Sequence, residues 1–302
     1  AVLDRALGRK RPAGAQVSTE ARGRRDEDTQ TTARRRCLRF FFRGASSRAM
    51  GALSATPLAP PTTETLEALR AKHPQAEQPI QAREHTAAPP RVCVRSLRGA
   101  LRRAPRGSAA GCSGWTTDHL RELCHDDDAL IESLAGVLQR LLDGGVPTGV
   151  RDTLLACRLL PFAKPGGGVR PIAIGEAVLR LTSRWAARHF QRQFRGVLQP
   201  LQVGVGETCG TELAARGVQR ALRQHRTWGL LSVDIQNAFN AVERDALLEA
   251  VVQEGLGELL PYVELCYGTA TQLRYQTDGG CELLSSVRGV RQGDPLSSAL
   301  FA

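Results

Sequence analysis

Apolar positions change period several times along this chain, and the changes mark its elements. In "DDDALIESLAGVLQRLLDGGVP" (126–147) the pattern is helical, with Asp126 available as a cap and Gly144-Gly145 followed by Pro147 as a stop. In "GSAAGCSGWTTDHLREL" (107–123) a small-residue loop leads into a threonine-capped helix from about Thr117. "CRLLPFAKPGGGVRPIAIG" (157–175) reads as strand, glycine turn and strand, with Lys164 on one arm and Arg170 on the other. From Glu176 to Leu198 the period is helical again: Ala186, Phe190, Phe194 and Val197 fall on one side, and Arg180, Arg184, Arg188 and Arg192 recur at every fourth position on the other. A helix fits 208–225, a strand 229–235, and helices 242–254 and 258–268. Two short strands, "QLRYQT" and "ELLSSV", then lead to the glycine-rich turn "RGVRQGDP".

Ahead of Val92 the pattern fades. Residues 1–50 alternate arginine clusters with Ser, Thr and Gly and are expected to be a disordered basic tail. Residues 51–91, rich in Ala, Pro and Thr, are expected to be a linker with one short helix at 63–72. Order is expected over 92–302. The chain has 302 residues, 42% of them apolar, and a formal charge of +11, of which the first 50 residues contribute +8. Charge alone does not separate a nucleic-acid partner from a solvated tail. Basic residues are nearly all arginine; the lysines are Lys10, Lys72 and Lys164.

Eight cysteines are scattered without a C-x-x-C pair, which reads as free thiols in an intracellular, reducing compartment, nuclear or cytoplasmic. The histidines in "HLRELCH" (119–125) have the wrong order and spacing for a helical zinc site. No apolar run approaches the ~18 residues that cross a bilayer, so no membrane partner is expected. The chain starts at Ala1 and stops at Ala302, just after "RQGDPLSSALF", and is therefore expected to be a fragment.

Candidate chemistry begins at "LLSVDIQNAFNAVER" (230–244). Leu231, Val233 and Ile235 alternate with Ser232 and Asp234, so the aspartate is expected to leave the buried face of a strand and face a cleft. A strand-end carboxylate before a tight turn suits magnesium, which takes one or two protein carboxylates and fills its remaining positions with waters and substrate phosphates. Alone, an Asp followed five residues later by Phe is a weak pattern, and a turn-capping aspartate accounts for it better.

"SAAGCSGWTTDHL", "LLPFAKPGGGVRPIAIGEAVLRL", "QPLQVGVGETCGTELA", "LLSVDIQNAFNAVERDALL" and "SSVRGVRQGDPLSSALF" occur together in this order. The set resembles the reverse transcriptases of non-LTR retrotransposons over Val92 to Ala302. The resemblance implies an α/β (α+β) right-hand polymerase fold, represented by fingers and part of the palm. It implies RNA-directed DNA synthesis from a primer 3′-hydroxyl, with an RNA template, a DNA primer and dNTP as partners and Mg2+, or Mn2+, as cofactor. Lys164 and Arg170 would hold the triphosphate. Asp234 would be the motif A metal aspartate, with the Ile235 carbonyl as a second ligand. Phe239 would be the steric gate that occupies the space of a ribose 2′-hydroxyl. Gln292 would contact the nucleotide, with Gly293 allowing its close approach and Pro295 opening the helix behind. Asp294 is expected to be structural.

One departure stands out. The family's second metal carboxylates lie in motif C, an aromatic-x-Asp-Asp segment, and none follows Gln292 in these residues. As it stands, the chain is expected to hold one metal carboxylate and not to polymerise. Two other readings stay open: a non-catalytic RNA- or DNA-binding remnant of a decayed element, and a reverse transcriptase of the group II intron maturase kind.

Overall fold

A computed structural model describes residues 31, 33–42, 44, 46–53 and 56–302. The chain divides into two compact units, 1–55 and 56–302. Within the first, residues 33–42 are helical, and a second helix, α1 (Ser46–Leu53), buries Ala49 and Ala52. The expectation of disorder over 1–50 thus lies outside the described residues for 1–30, while 33–42 and 46–50 are helical. Clustered arginines do not oppose a helix, because arginine is a good helix former.

The second unit belongs to the α/β class. β1 (Cys157–Ala163) pairs antiparallel with β2 (Val169–Ile174) and parallel with β3 (Thr271–Thr277), and β3 pairs antiparallel with β4 (Gly280–Ser286). The sheet order is β2-β1-β3-β4. Helices α2 (Thr63–Ala71), α3 (Val94–Arg103), α4 (Thr117–Leu123), α5 (Asp128–Leu142), α6 (Thr148–Leu155), α7 (Ala177–His189), α8 (Gln191–Leu198) and α9 (Gly210–Gln224) are followed by the short α10 (Ala238–Ala241). Then come α11 (Arg244–Gln253), α12 (Leu260–Tyr267) and α13 (Ser297–Phe301).

The helical core gathers one apolar face each from α3, α5, α7, α11 and α12, through residues such as Leu97, Leu138, Trp185, Leu248 and Val263. Local signals set the helix ends. Thr116 caps α4 by accepting the His119 amide, and the His119 ring accepts the Thr116 amide in return. Asp127, one residue beyond the expected Asp126, caps α5 by accepting the Leu130 amide at 3.0 Å. α3 and α6 were not anticipated. The helix expected over 176–198 breaks at Phe190 into α7 and α8, which divides the arginine stripe between two axes.

Two expectations fail. The segment 51–91 is not a free linker, because from Thr56 onward it packs on the second unit. Leu58 bridges Phe162, the Ala59 amide donates to the Pro161 carbonyl at 2.8 Å, and α2 sinks Leu69 among Leu159, Val169, Leu273 and Tyr275. Farther on, the Gln81 amide and the Arg83 guanidinium hold the Asp245 carboxylate at 2.8 and 3.0 Å. Ala, Pro and Thr give no amphipathic period, yet an extended segment of them can lie along the part of β1 that β3 leaves unpaired and satisfy its backbone there.

The strand expected over 229–235 does not form. Those residues are irregular and bare, with Leu231 86%, Val233 75% and Ile235 68% exposed. Alternation alone does not make a strand; a ladder partner must take the backbone hydrogen bonds, and none of the four described strands pairs there.

Candidate active site

Seven residues singled out in the sequence, Lys164, Arg170, Asp234, Ile235, Phe239, Gln292 and Gly293, line one cleft of about 930 Å³. They arrive on three segments. The β1–β2 hairpin brings Lys164 and Arg170, both exposed, with Phe162 opposite Arg170 in the register. Its turn closes through the Lys164 amide to the Gly168 carbonyl and the Gly167 amide to the Lys164 carbonyl, each 3.0 Å. Gly167 and Gly168 take φ of 93° and 81°, which glycine adopts without penalty.

The second segment is the turn after Asp234. Asn237 adopts a left-handed φ of 58°; its side-chain oxygen accepts from Asn240 at 2.9 Å, and its amide nitrogen donates to the Lys72 carbonyl at 3.1 Å. That last bond ties the end of α2 to the cleft, and Lys72 itself lines it. Lys72 lies in the segment expected to be a linker, and its place at the cleft depends on a contact across 165 residues.

The third segment, 288–295, is spliced into the other two through its glycines. The Val290 amide donates to the Phe239 carbonyl at 2.7 Å and the Gly289 amide to the Val242 carbonyl at 2.8 Å. Gly289 has φ 73°, and a Cβ there would lie 2.4 Å from Asn240 and Phe239 backbone atoms. Gly293, at φ 123°, would place a Cβ 2.6 Å from the Ala173 carbonyl oxygen, while the Ala173 amide donates to the Gln292 carbonyl at 2.8 Å. Both glycines mark backbone packed on backbone.

Two buried arginines brace the loop from beneath. Arg244 donates to the carbonyls of Gly289, Thr269 and Ser286 at 2.9–3.0 Å and to the Ser286 hydroxyl at 2.8 Å. Burial, and then the charge of Arg291, lower its pKa to about 10. Arg291 donates to the Cys266 carbonyl and lies 4.9 Å over the Tyr267 ring. Burial also holds the Tyr267 hydroxyl well above the usual phenol range, so it stays protonated and donates to Asp294 at 2.9 Å.

The other Asp294 oxygen accepts the Leu296 amide at 3.0 Å. With both oxygens engaged, Asp294 is a bracket rather than a free ligand. Asp234, by contrast, is exposed in the cleft and has no hydrogen-bond or ion-pair partner among the described residues. One unengaged carboxylate fits a magnesium ion that takes few protein ligands. No cluster of three or more metal-ligating side chains occurs among the described residues.

Two further residues line the cleft. Phe301 stacks on Phe239 with centroids 4.7 Å apart and planes at 15°, and Arg184 of α7 reaches the cleft wall. The Phe301 signal existed as an aromatic in "SSALF", but its target could not be read from spacing. All described cysteines are free, and no helix among the described residues is long and apolar enough to cross a membrane.

Comparison with known proteins bears on the same segments. Residues 162–302 match the family model "Reverse transcriptase (RNA-dependent DNA polymerase)". The chain is 32% identical over 204 residues to the retrotransposable element SLACS 132 kDa protein of Trypanosoma brucei gambiense, covering 67% of this chain and 17% of that protein. It is 30% identical over 163 residues to a retrovirus-related Pol polyprotein from type-1 retrotransposable element R2 of Bradysia coprophila, covering 52% and 18%. The R2 polyprotein of Nasonia vitripennis is 28% identical over 208 residues, covering 66% and 19%. The chain thus spans about a fifth of the length of these relatives.

Proposed function

We propose, from the premise that residues 162–302 belong to the reverse transcriptase family and the chain to its non-LTR retrotransposon branch, that this segment forms the nucleotide-selecting half of an RNA-directed DNA polymerase. The observation that carries the reading is the convergence on one cleft of two cations, an unengaged carboxylate, an aromatic ring and a glutamine from three distant segments.

In this reading an incoming dNTP lies in the cleft with its triphosphate between Lys164 and Arg170. Fixed cations there offset charge that builds on the transferred phosphoryl group, without the reorganisation that water would need. Asp234, with the Ile235 carbonyl, would hold Mg2+, or Mn2+ in the same place. When bound, such an ion neutralises phosphate charge and favours ionisation of the primer 3′-hydroxyl. Phe239 fills the space a ribose 2′-hydroxyl would need, which favours deoxynucleotides and a DNA product. Gln292 and Gly293 present one amide side chain and a bare backbone to the nucleotide. An RNA template and a DNA primer are the polymer partners.

The test is steady-state primer extension by a polypeptide that carries this segment and continues through an aromatic-x-Asp-Asp motif. Lys164→Gln and Arg170→Gln should each raise KM for dNTP by about tenfold or more, the scale of one lost charge-assisted contact. An unchanged KM in both variants would remove the triphosphate assignment.

A further inference from the structure

Away from the cleft, α3 carries four arginines and no acidic side chain in ten residues. Its sequence, "VRSLRGALRR", buries Leu97, Ala100 and Leu101 against α5 and α7, so the arginines are forced outward. The Trp185 indole donates to the Ser96 hydroxyl at 2.9 Å, and that hydroxyl donates to the Cys93 carbonyl at 2.7 Å, which fixes the start of the helix. A groove runs along each side of α3. One, of about 440 Å³, is lined by Arg95, Arg102, Arg103, Arg188, Trp185 and His189. The other, of about 680 Å³, has an apolar floor of Val94, Leu101 and Ile131 under Arg95, Arg98, Arg102 and Arg106.

Neither groove has an acidic lining residue. Arg98 pairs with Asp128, and Arg121 is spent on the Leu101 and Ala104 carbonyls and Asp118. Arg95, Arg102, Arg103, Arg106 and Arg188 make no ion pair among the described residues. Like charges three and four residues apart destabilise a helix, so the fold gains nothing from this arrangement. Guanidinium groups match phosphate in a bidentate way. The exposed His189 ring stacks on Trp185 at 4.9 Å and 16°, with the Phe190 ring 5.0 Å away at 69°, an aromatic group of the kind on which bases stack.

We propose that α3 and its two grooves form a second polynucleotide-binding surface, distinct from the cleft, that holds the phosphodiester backbone of single-stranded nucleic acid. Each groove has the volume of a small-ligand site, enough for one or two nucleotides. The surface also continues from the cleft. Arg184 on the cleft wall and Arg188 in the nearer groove are one turn apart on α7, a rise of about 6 Å, so a strand leaving the cleft meets this surface next. The inference needs nucleic acid as partner but not catalysis.

The experiment is fluorescence anisotropy of the 302-residue chain with labelled single-stranded RNA of mixed sequence across a salt series, without nucleotide and in chelator. The triple variant Arg95→Gln/Arg102→Gln/Arg188→Gln should weaken binding and flatten the slope of log K against log salt by about 2, the counterion release of three phosphates on a single strand. The charge-matched variant Arg220→Gln/Arg223→Gln/Arg226→Gln, on exposed positions of α9 and the loop after it, should keep the original slope. Glutamine is as good a helix former as arginine, and far-UV circular dichroism checks that both variants fold. Single-stranded DNA of the same sequence should bind within a few-fold of RNA and show the same loss.

An unchanged slope in the first variant, an equal loss in the charge-matched one, or dependence on the 2′-hydroxyl would overturn the proposal. Capture of poly-glutamate with no polynucleotide binding would overturn it too. If the slope falls as stated while Lys164→Gln and Arg170→Gln leave KM untouched, the surface stands and the nucleotide site falls; the opposite pair of results reverses that conclusion.

Discussion

Gly289→Ala probes the splice that builds the cleft. Two penalties act together at this position. The φ of 73° is left-handed, which costs an L-residue about 1–2 kcal/mol. The added Cβ would also sit 2.4 Å from Asn240 and Phe239 backbone, where no flexible group can yield, so the loop must lift away. Lifting it breaks the Val290-to-Phe239 and Gly289-to-Val242 bonds, each contributing about 1 kcal/mol net. The combined loss is about 3–4 kcal/mol, a several-hundred-fold fall in the folded-to-unfolded ratio. Urea denaturation followed by circular dichroism should show the midpoint falling at constant slope. Gly136→Ala serves as control: it lies on α5 with nothing within 4 Å of its added Cβ, and should stabilise by up to about 1 kcal/mol. A Gly289→Ala loss below about 1 kcal/mol would refute the claim that the Asp234 turn and the Gln292 loop are one rigid unit.

Arg244→Met, which keeps the stem but strips four hydrogen bonds from buried acceptors, should cost about 3–5 kcal/mol by the same denaturation assay. His73 should make stability pH-dependent. Burial lowers its pKa below 6.5, opposed in part by its bond to the Leu69 carbonyl, so the unfolded chain protonates first and stability falls as pH drops below about 6.5. A pH series of denaturation midpoints checks this, and His73→Leu should flatten that limb. Phe239→Ala should raise ribonucleotide incorporation, and Phe301→Ala should do so to a smaller degree by freeing the ring it stacks on. A single-nucleotide incorporation assay with paired rNTP and dNTP reads both.

What the sequence disclosed and what it withheld divide along a physical line. The hairpin around Gly167 was legible because turn chemistry and strand alternation are both local. The α4 cap was legible for the same reason, and the α5 cap to within one residue. Lys164, Arg170, Asp234, Phe239 and Gln292 were nameable because the motifs that hold them resemble those of non-LTR reverse transcriptases, and the fold brings them to one cleft. Lys72, Arg244 and Phe301 were not nameable. Their roles rest on contacts with segments far away in the chain or on a stacking partner that spacing does not specify. The failed strand at 229–235 shows the limit from the other side: alternation is a property of the segment, whereas a strand is a property of a pair. The packed 56–91 region shows that a low-complexity composition does not forbid docking when a strand, here the far end of β1, offers unpaired backbone groups.

The central claim is that Asp234 is an active-site carboxylate and not a turn residue. Primer extension on an RNA template settles it, with Asp234→Asn compared against the unsubstituted sequence in a polypeptide that continues through an aromatic-x-Asp-Asp motif. Asp234 is exposed and without partners among the described residues, so the variant should fold with stability unchanged to within about 0.5 kcal/mol. The account predicts loss of extension by at least about a thousandfold with folding intact, the scale of a lost metal ligand in phosphoryl transfer. Extension at near-normal rate by the well-folded Asp234→Asn protein would contradict it.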